Sequence, residues 1–103
     1  GYNITTVLSD HRLGVAWQDL LDREVFGPAG MARASARMSR AAGWSVAKPH
    51  ALNGDGAVAR IYLEKTDQTM QSAGGVIMSA NDAARWLELM LTQGRVGRRQ
   101  ILA

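Results

Sequence analysis

The chain has 103 residues, 12 Lys and Arg against 9 Asp and Glu, a formal charge of +3 and no cysteine. That length is one domain or a piece of a larger one, and the missing thiols exclude a disulfide scaffold, a thiolate zinc site and a cysteine nucleophile while leaving the redox compartment open. Hydrophobic residues make up 47% of the chain, but Ala supplies 16 of them and Leu, Ile, Val and Phe together only 22, close to the level at which independent folding fails, so composition leaves room for a segment that needs a neighbour.

The chain opens Gly1-Tyr2-Asn3, without an initiator Met and without the basic and apolar regions of a signal peptide. Such a start is expected of the interior of a longer protein. The apolar runs are only a few residues long, too short for a membrane span, and no segment assigns a compartment, whether secreted, periplasmic or cytoplasmic. Between Asn3 and Leu13, Ile4, Val7, Leu8 and His11 fall at helical spacing, and Gly14 follows as a residue suited to close a helix in the left-handed conformation. Trp17, Leu20, Leu21 and Val25 repeat the pattern, with Asp19 and Asp22 early in the helix, where negative charge suits its dipole, and Gly27-Pro28 ending it. Residues 1–31 therefore read as an αα-hairpin.

The Ala- and Arg-rich run from Met31 to Ala42 has helix propensity but almost no large apolar residue to hold it, so 32–57 reads as irregular, with a turn at Gly54-Asp55-Gly56. From 58 to 64, Ala59, Ile61 and Leu63 alternate with Arg60, Tyr62 and Glu64, the one clean strand signal in the chain. Gly74-Gly75 marks a flexible or close-approach point. A helix is predicted over 79–93, with Ser79 and Asp82 as a capping box, a stripe of Ala83, Trp86, Leu87, Met90 and Leu91, and a stop at Gly94. The sum is a mainly α chain with a short β element.

Three short matches point toward serine acyl transfer: Ser45-Val46-Ala47-Lys48, Ser79-Ala80-Asn81 and Lys65-Thr66-Asp67. Each fails on chemistry. A nucleophilic Ser needs its Lys on the same helical face and backbone N–H groups nearby for the oxyanion, whereas Pro49 directly after Lys48 disfavours a helix there. Ser79 is better used as a helix cap, Lys65-Thr66 lacks the following Gly, and the order of the three along the chain is wrong. No catalytic residue is therefore assigned. His11 and His50 stand alone, without a carboxylate at helical spacing, so no metal site is assigned and no cofactor is implied. Arg33, Arg37 and Arg40, and again Arg95, Arg98 and Arg99, form basic clusters that lack the interleaved aromatics of single-strand binders. They read as a solvated face or an inter-domain contact, not as a nucleic-acid surface.

Taken in order, the segments resemble the serine β-lactamase-like family, which includes class C β-lactamases, low-molecular-weight penicillin-binding proteins and related esterases and peptidases. The likeness is carried by Gly1-Tyr2-Asn3, Gly14, Trp17-Gln18-Asp19-Leu20-Leu21 and Glu24-Val25-Phe26-Gly27-Pro28-Ala29-Gly30-Met31. Pro49-His50-Ala51, the block from Ala73 to Trp86 and Gly97-Arg98-Arg99-Gln100-Ile101-Leu102 extend it almost end to end. Ala29 in place of Leu, Ala32 in place of Thr and Ser72 in place of Pro depart from the family pattern as packing and loop changes. The resemblance implies an internal segment of a serine hydrolase, from the helical region of its α+β fold. The nucleophilic Ser-x-x-Lys and the Tyr-x-Asn would then precede Gly1, and the Lys-Thr-Gly or His-x-Gly strand would follow Ala103. Tyr2, with its Asn adjacent instead of two residues on, is not the catalytic Tyr.

The parent would form an acyl-enzyme on a β-lactam, peptide or ester. This segment would supply scaffold and active-site wall, with Gly74 and Gly75 as the substrate-proximal positions because Gly lets backbone approach a ligand. Its partners would be the remainder of the hydrolase domain and a small-molecule acyl substrate. The alternatives are an autonomous helical interaction module and, behind it, a basic nucleic-acid binder. Helices meant to pack on a missing domain would leave Trp17, Leu20, Leu21 and the Trp86, Leu87 and Met90 stripe uncovered, so the isolated chain is expected to self-associate, most simply as a two-fold dimer.

Overall fold

The computed structural model describes residues 1–102. Helix α1 (Asn3–Leu8) runs on into a wider π turn at Ser9–Leu13, and Gly14, at φ 62°, closes it in the left-handed region. Helix α2 (Trp17–Leu21) likewise continues as a π turn, Asp22–Phe26. Strand β1 (Ala34–Ser35) and a 3₁₀ turn at Met38–Ala41 follow, then β2 (His50–Leu52), β3 (Val58–Arg60), a 3₁₀ turn at Gln71–Ala73, β4 (Ile77–Met78), helix α3 (Ala80–Leu91), β5 (Arg95–Val96) and β6 (Arg99–Gln100). The strands form three separate antiparallel pairs, β1 with β4, β2 with β3 and β5 with β6.

This corrects the mainly α expectation and, with it, the assignment to a helical region. Of the described residues about 39% are helical and 14% strand, in six strands and short, partly irregular helices. The physical reason lies in two places. The Ala/Arg run after Met31 has no apolar stripe to dock a helix, and its backbone instead pairs with a distant segment, Ala34 opposite Met78 and Ser35 opposite Ile77. The long strand expected over 58–64 ends at Arg60, since β2 supplies partners only from His50 to Leu52.

The core gathers Trp17, Val25, Phe26, Ala29, Met31, Ala36 and Leu89, with Leu21, Ala34, Val76, Trp86, Ile101 and Leu102 packed around it. Ala29 is buried there, so the small residue at that position is a packing choice. Helix α3 enters the core by a different face from the one its sequence suggests. Leu89 is fully buried and Trp86 half-buried, whereas Leu87 and Leu91 are 61% and 85% exposed. The helix carries apolar residues on two sides, and the side that carries Leu89 is the one that joins the core cluster. The expected uncovered surface is corrected accordingly: Trp17 is buried, Leu20, Leu21 and Trp86 are half-buried, and only Leu87 and Met90 of that set stay exposed.

The first helix is held chiefly against the Gln71–Ala73 turn. Thr6 Oγ1 donates to Ser72 Oγ at 3.0 Å, and Ser72 Oγ donates to the Tyr2 carbonyl at 2.7 Å. At the other end of the chain, Gly94 (φ 82°) closes α3 and its carbonyl accepts from Ile101 and Leu102, returning those two side chains to the core. Among the described residues no helix is long and apolar enough to cross a membrane.

Candidate functional site

The loop from Lys65 to Gly75 meets Trp17 at Gln71 and Gly75. The first residue of α2, Trp17, is buried, and its indole Nε1–H donates to Gln71 Oε1 at 3.0 Å. Met70 and Gln71 are successive non-glycine residues in the left-handed region, at φ 62° and 45°. Such conformations cost about 1–3 kcal/mol each and persist only where the surroundings over-determine them. Here the determinants are visible: the Trp17 hydrogen bond, the Ser72 bonds to α1, and the Gln71 carbonyl, which accepts from Gly75 N–H at 2.7 Å.

Gly75 follows directly from that closure. A Cβ at Gly75 would sit 2.5 Å from the Gln71 carbonyl oxygen and 3.3 Å from the Trp17 ring. Close backbone approach, read from the Gly-Gly pair, is thus explained by the protein's own Trp17 and Gln71. At Gly74 a Cβ would meet only the flexible end of Met70, and the Gly74 carbonyl accepts from Lys65 Nζ at 2.7 Å. Lys65 also lines an open depression of about 420 Å³, together with Met38, Ser39, Thr66, Asp67 and Gln68. Within that lining Asp67 accepts from Ser39 N–H at 2.9 Å and from Ser39 Oγ–H at 2.7 Å. These two bonds, backbone first, hold its carboxyl below the ordinary aspartate range.

The basic residues after Met31 turn inward toward acids. Arg37 Nη1 lies 2.7 Å from Asp19 Oδ1 and 3.8 Å from Asp22 Oδ2, and Arg40 pairs with Asp22. The Arg37 hydrogen bond lowers the pKa of Asp19 and raises that of Arg37. This ladder fixes the 38–41 turn to α2. Arg33 stacks over Trp44 at 5.7 Å. Arg95 bonds Gln100 within the β5–β6 hairpin, leaving Arg98 and Arg99 exposed.

Ser45 and Lys48 lie in irregular, exposed chain, with no helix to bring the amine to the hydroxyl. Ser79 caps α3, accepting from Asp82 N–H at 3.1 Å. His50 Nδ1 is 2.8 Å from the Lys48 carbonyl, and His11 is exposed on the π turn after α1. Among the described residues, no three His, Asp or Glu side chains converge as metal ligands do. Sequence reasoning missed Gln71 and Met70 altogether. Their one sequence signal is the Gly-Gly pair just after them, which permits so tight a turn.

No protein-family model and no curated protein matches the sequence. Among solved structures, the chain is similar over 99% of its length to part of the octameric penicillin-binding protein homologue from Pyrococcus abyssi, with a TM-score of 0.77 and 17% sequence identity. It spans 22% of that protein's chain. At such identity the likeness is one of fold, and the fold of this chain is that of a stretch of a penicillin-binding-protein-like structure.

Proposed function

We propose that the chain is a scaffold segment of a serine hydrolase of the penicillin-binding-protein type, acting through an acyl-enzyme on a β-lactam, peptide or ester whose nucleophile lies outside these residues. The observation that carries this reading is the match in fold over 99% of this chain to only 22% of a much longer one. The segment's own chemistry agrees with a wall and not a reaction centre, because Ser45 and Lys48 are held apart from any helix start. In the intact hydrolase the Gly74-Gly75 turn borders the substrate cleft, held in shape by Trp17, Gln71 and Lys65. The remainder of the hydrolase covers the apolar surface left open here, and in its absence the chain self-associates. A nucleic-acid role is disfavoured because Arg37 and Arg40, which would have to meet phosphate, are paired with Asp19 and Asp22.

The experiment is hydrolysis of a chromogenic β-lactam and a short-chain ester by the 103-residue chain. The expected result is no turnover above buffer. Turnover that disappears in Ser45→Ala would overturn the reading.

A further inference from the structure

The β2–β3 hairpin stands away from the core. From Ala47 to Thr66 every residue is exposed except half-buried Ala59. An isolated two-stranded hairpin is marginal in water; three or more strands are needed for stability. The whole chain exposes 7469 Å², against roughly 5,600 Å² for a compact protein of this size. The difference, roughly 1,900 Å², exceeds the roughly 800 Å² per partner of a stable dimer interface.

The ladder shows which edge is free. Asn53 N–H donates to the Ala57 carbonyl and Ile61 N–H to the Pro49 carbonyl, so the odd-numbered residues of this strand face β2. By antiparallel alternation Val58, Arg60 and Tyr62 turn their backbone groups outward. Among the described residues, none forms a backbone hydrogen bond to Tyr62, Leu63 or Glu64. Yet these residues continue the alternation of β3, and Tyr62 and Leu63 are 80% and 79% exposed.

The sequence along that edge is self-complementary. Set antiparallel to a second copy about Tyr62, Arg60-Ile61-Tyr62-Leu63-Glu64 places Arg60 opposite Glu64, Ile61 opposite Leu63 and Tyr62 opposite Tyr62. Opposite-charge, apolar and aromatic cross-strand pairs are all stabilising. The outward-facing residues fall at the hydrogen-bonded positions of this register. We propose that residues 60–64 are a self-recognition strand, through which two copies join their hairpins into one four-stranded antiparallel sheet. A strand pattern that runs to Glu64 but is hydrogen-bonded only as far as Ile61 then has its partner. From the functional reading the proposal takes only that the chain carries uncovered apolar surface; a nucleophile of this chain's own would show as turnover in the hydrolysis assay and leave this pairing standing.

The test is sedimentation velocity of the 103-residue chain from low micromolar to submillimolar concentration at low salt. It is run on wild type, Arg60→Glu, the swap Arg60→Glu with Glu64→Arg, and Leu87→Ser with Leu91→Ser as a control on the other exposed apolar face. Within one chain Arg60 Nη2 lies 3.9 Å from Glu64 Oε1, with the two side chains 41% and 72% exposed; this pair opens to form the two cross-copy pairs, and a thermal melt of each variant establishes that the monomer stays folded. The expected result is a dimer whose dissociation constant rises about tenfold or more in Arg60→Glu, which sets like charges opposite twice, and returns to near wild type in the swap. The Leu87/Leu91 variant should dimerise normally. A monomer at every concentration, a dimer insensitive to Arg60→Glu, or a loss that the swap does not restore would each overturn the proposal.

Discussion

The carboxylate of Asp82 accepts the backbone N–H of Arg33 at 2.6 Å, across 49 residues of sequence. In a capping box the acid at the third helical position returns to the N-cap amide. Here that amide, on Ser79, donates to the Arg33 carbonyl instead, at 2.9 Å. Both backbone groups of Arg33 are thus consumed by the first turn of α3, and the cap becomes a tertiary clasp that sets the register of β1 on β4.

Asp82 is 5% exposed, so removing its carboxylate leaves a backbone N–H without a partner. Asp82→Ala should cost about 1–3 kcal/mol, the penalty of an unsatisfied buried donor, while Asp82→Asn, which keeps an acceptor oxygen, should lose less. Urea melts of the two variants measure the difference. Equal loss in both would mean that the hydrogen bond to Arg33 contributes little.

At Gly75 the prediction is steric. A methyl group 2.5 Å from the Gln71 carbonyl cannot be accommodated without moving backbone, and overpacking of this kind costs about 1–3 kcal/mol. Gly75→Ala should lower the melting temperature and change Trp17 fluorescence, since the indole lies on the other side of the same contact. Gly74→Ala, which presses only on the Met70 side chain, should be milder. A reversed order of severity would show that the turn is not closed in this way.

Acid should loosen the ion ladder. Asp19 is held below its ordinary pKa by the hydrogen bond from Arg37, and Asp67 by those from Ser39. A carboxyl whose folded pKa is depressed contributes stability above its unfolded value, about 3.9, and loses it as pH falls through the folded value. The melting temperature should therefore decline on acidification through pH 4 and below, and the decline should flatten in Asp19→Asn combined with Asp67→Asn. Asp19 is exposed and Asp67 only half-buried, so the effect is modest and weakens with salt.

Local signals in the sequence reach as far as local causes do. Ser79 as a cap and Gly14 and Gly94 as helix stops are legible because each acts within one turn. The buried face of α3 is not: its sequence offers Leu87 and Leu91 on one side and Leu89 on another, and only the placement of the rest of the core decides between them. Strands of two residues such as Ala34–Ser35 carry no periodicity at all, and their partner lies more than forty residues away. In the candidate site, the Gly-Gly pair announces a close approach, but the approaching groups, Trp17 and the Gln71 carbonyl, come together only through the left-handed turn at Met70 and Gln71.

The most direct measurement of the central claim, a hydrolase scaffold without its own nucleophile, is intact-mass spectrometry of the chain after incubation with an acylating β-lactam probe. Covalent capture requires a Ser activated by a neighbouring base, and Ser45 and Lys48 occupy exposed, irregular chain. The account predicts an unchanged mass. A stoichiometric acyl adduct mapping to Ser45, or to any other serine of the chain, would contradict it.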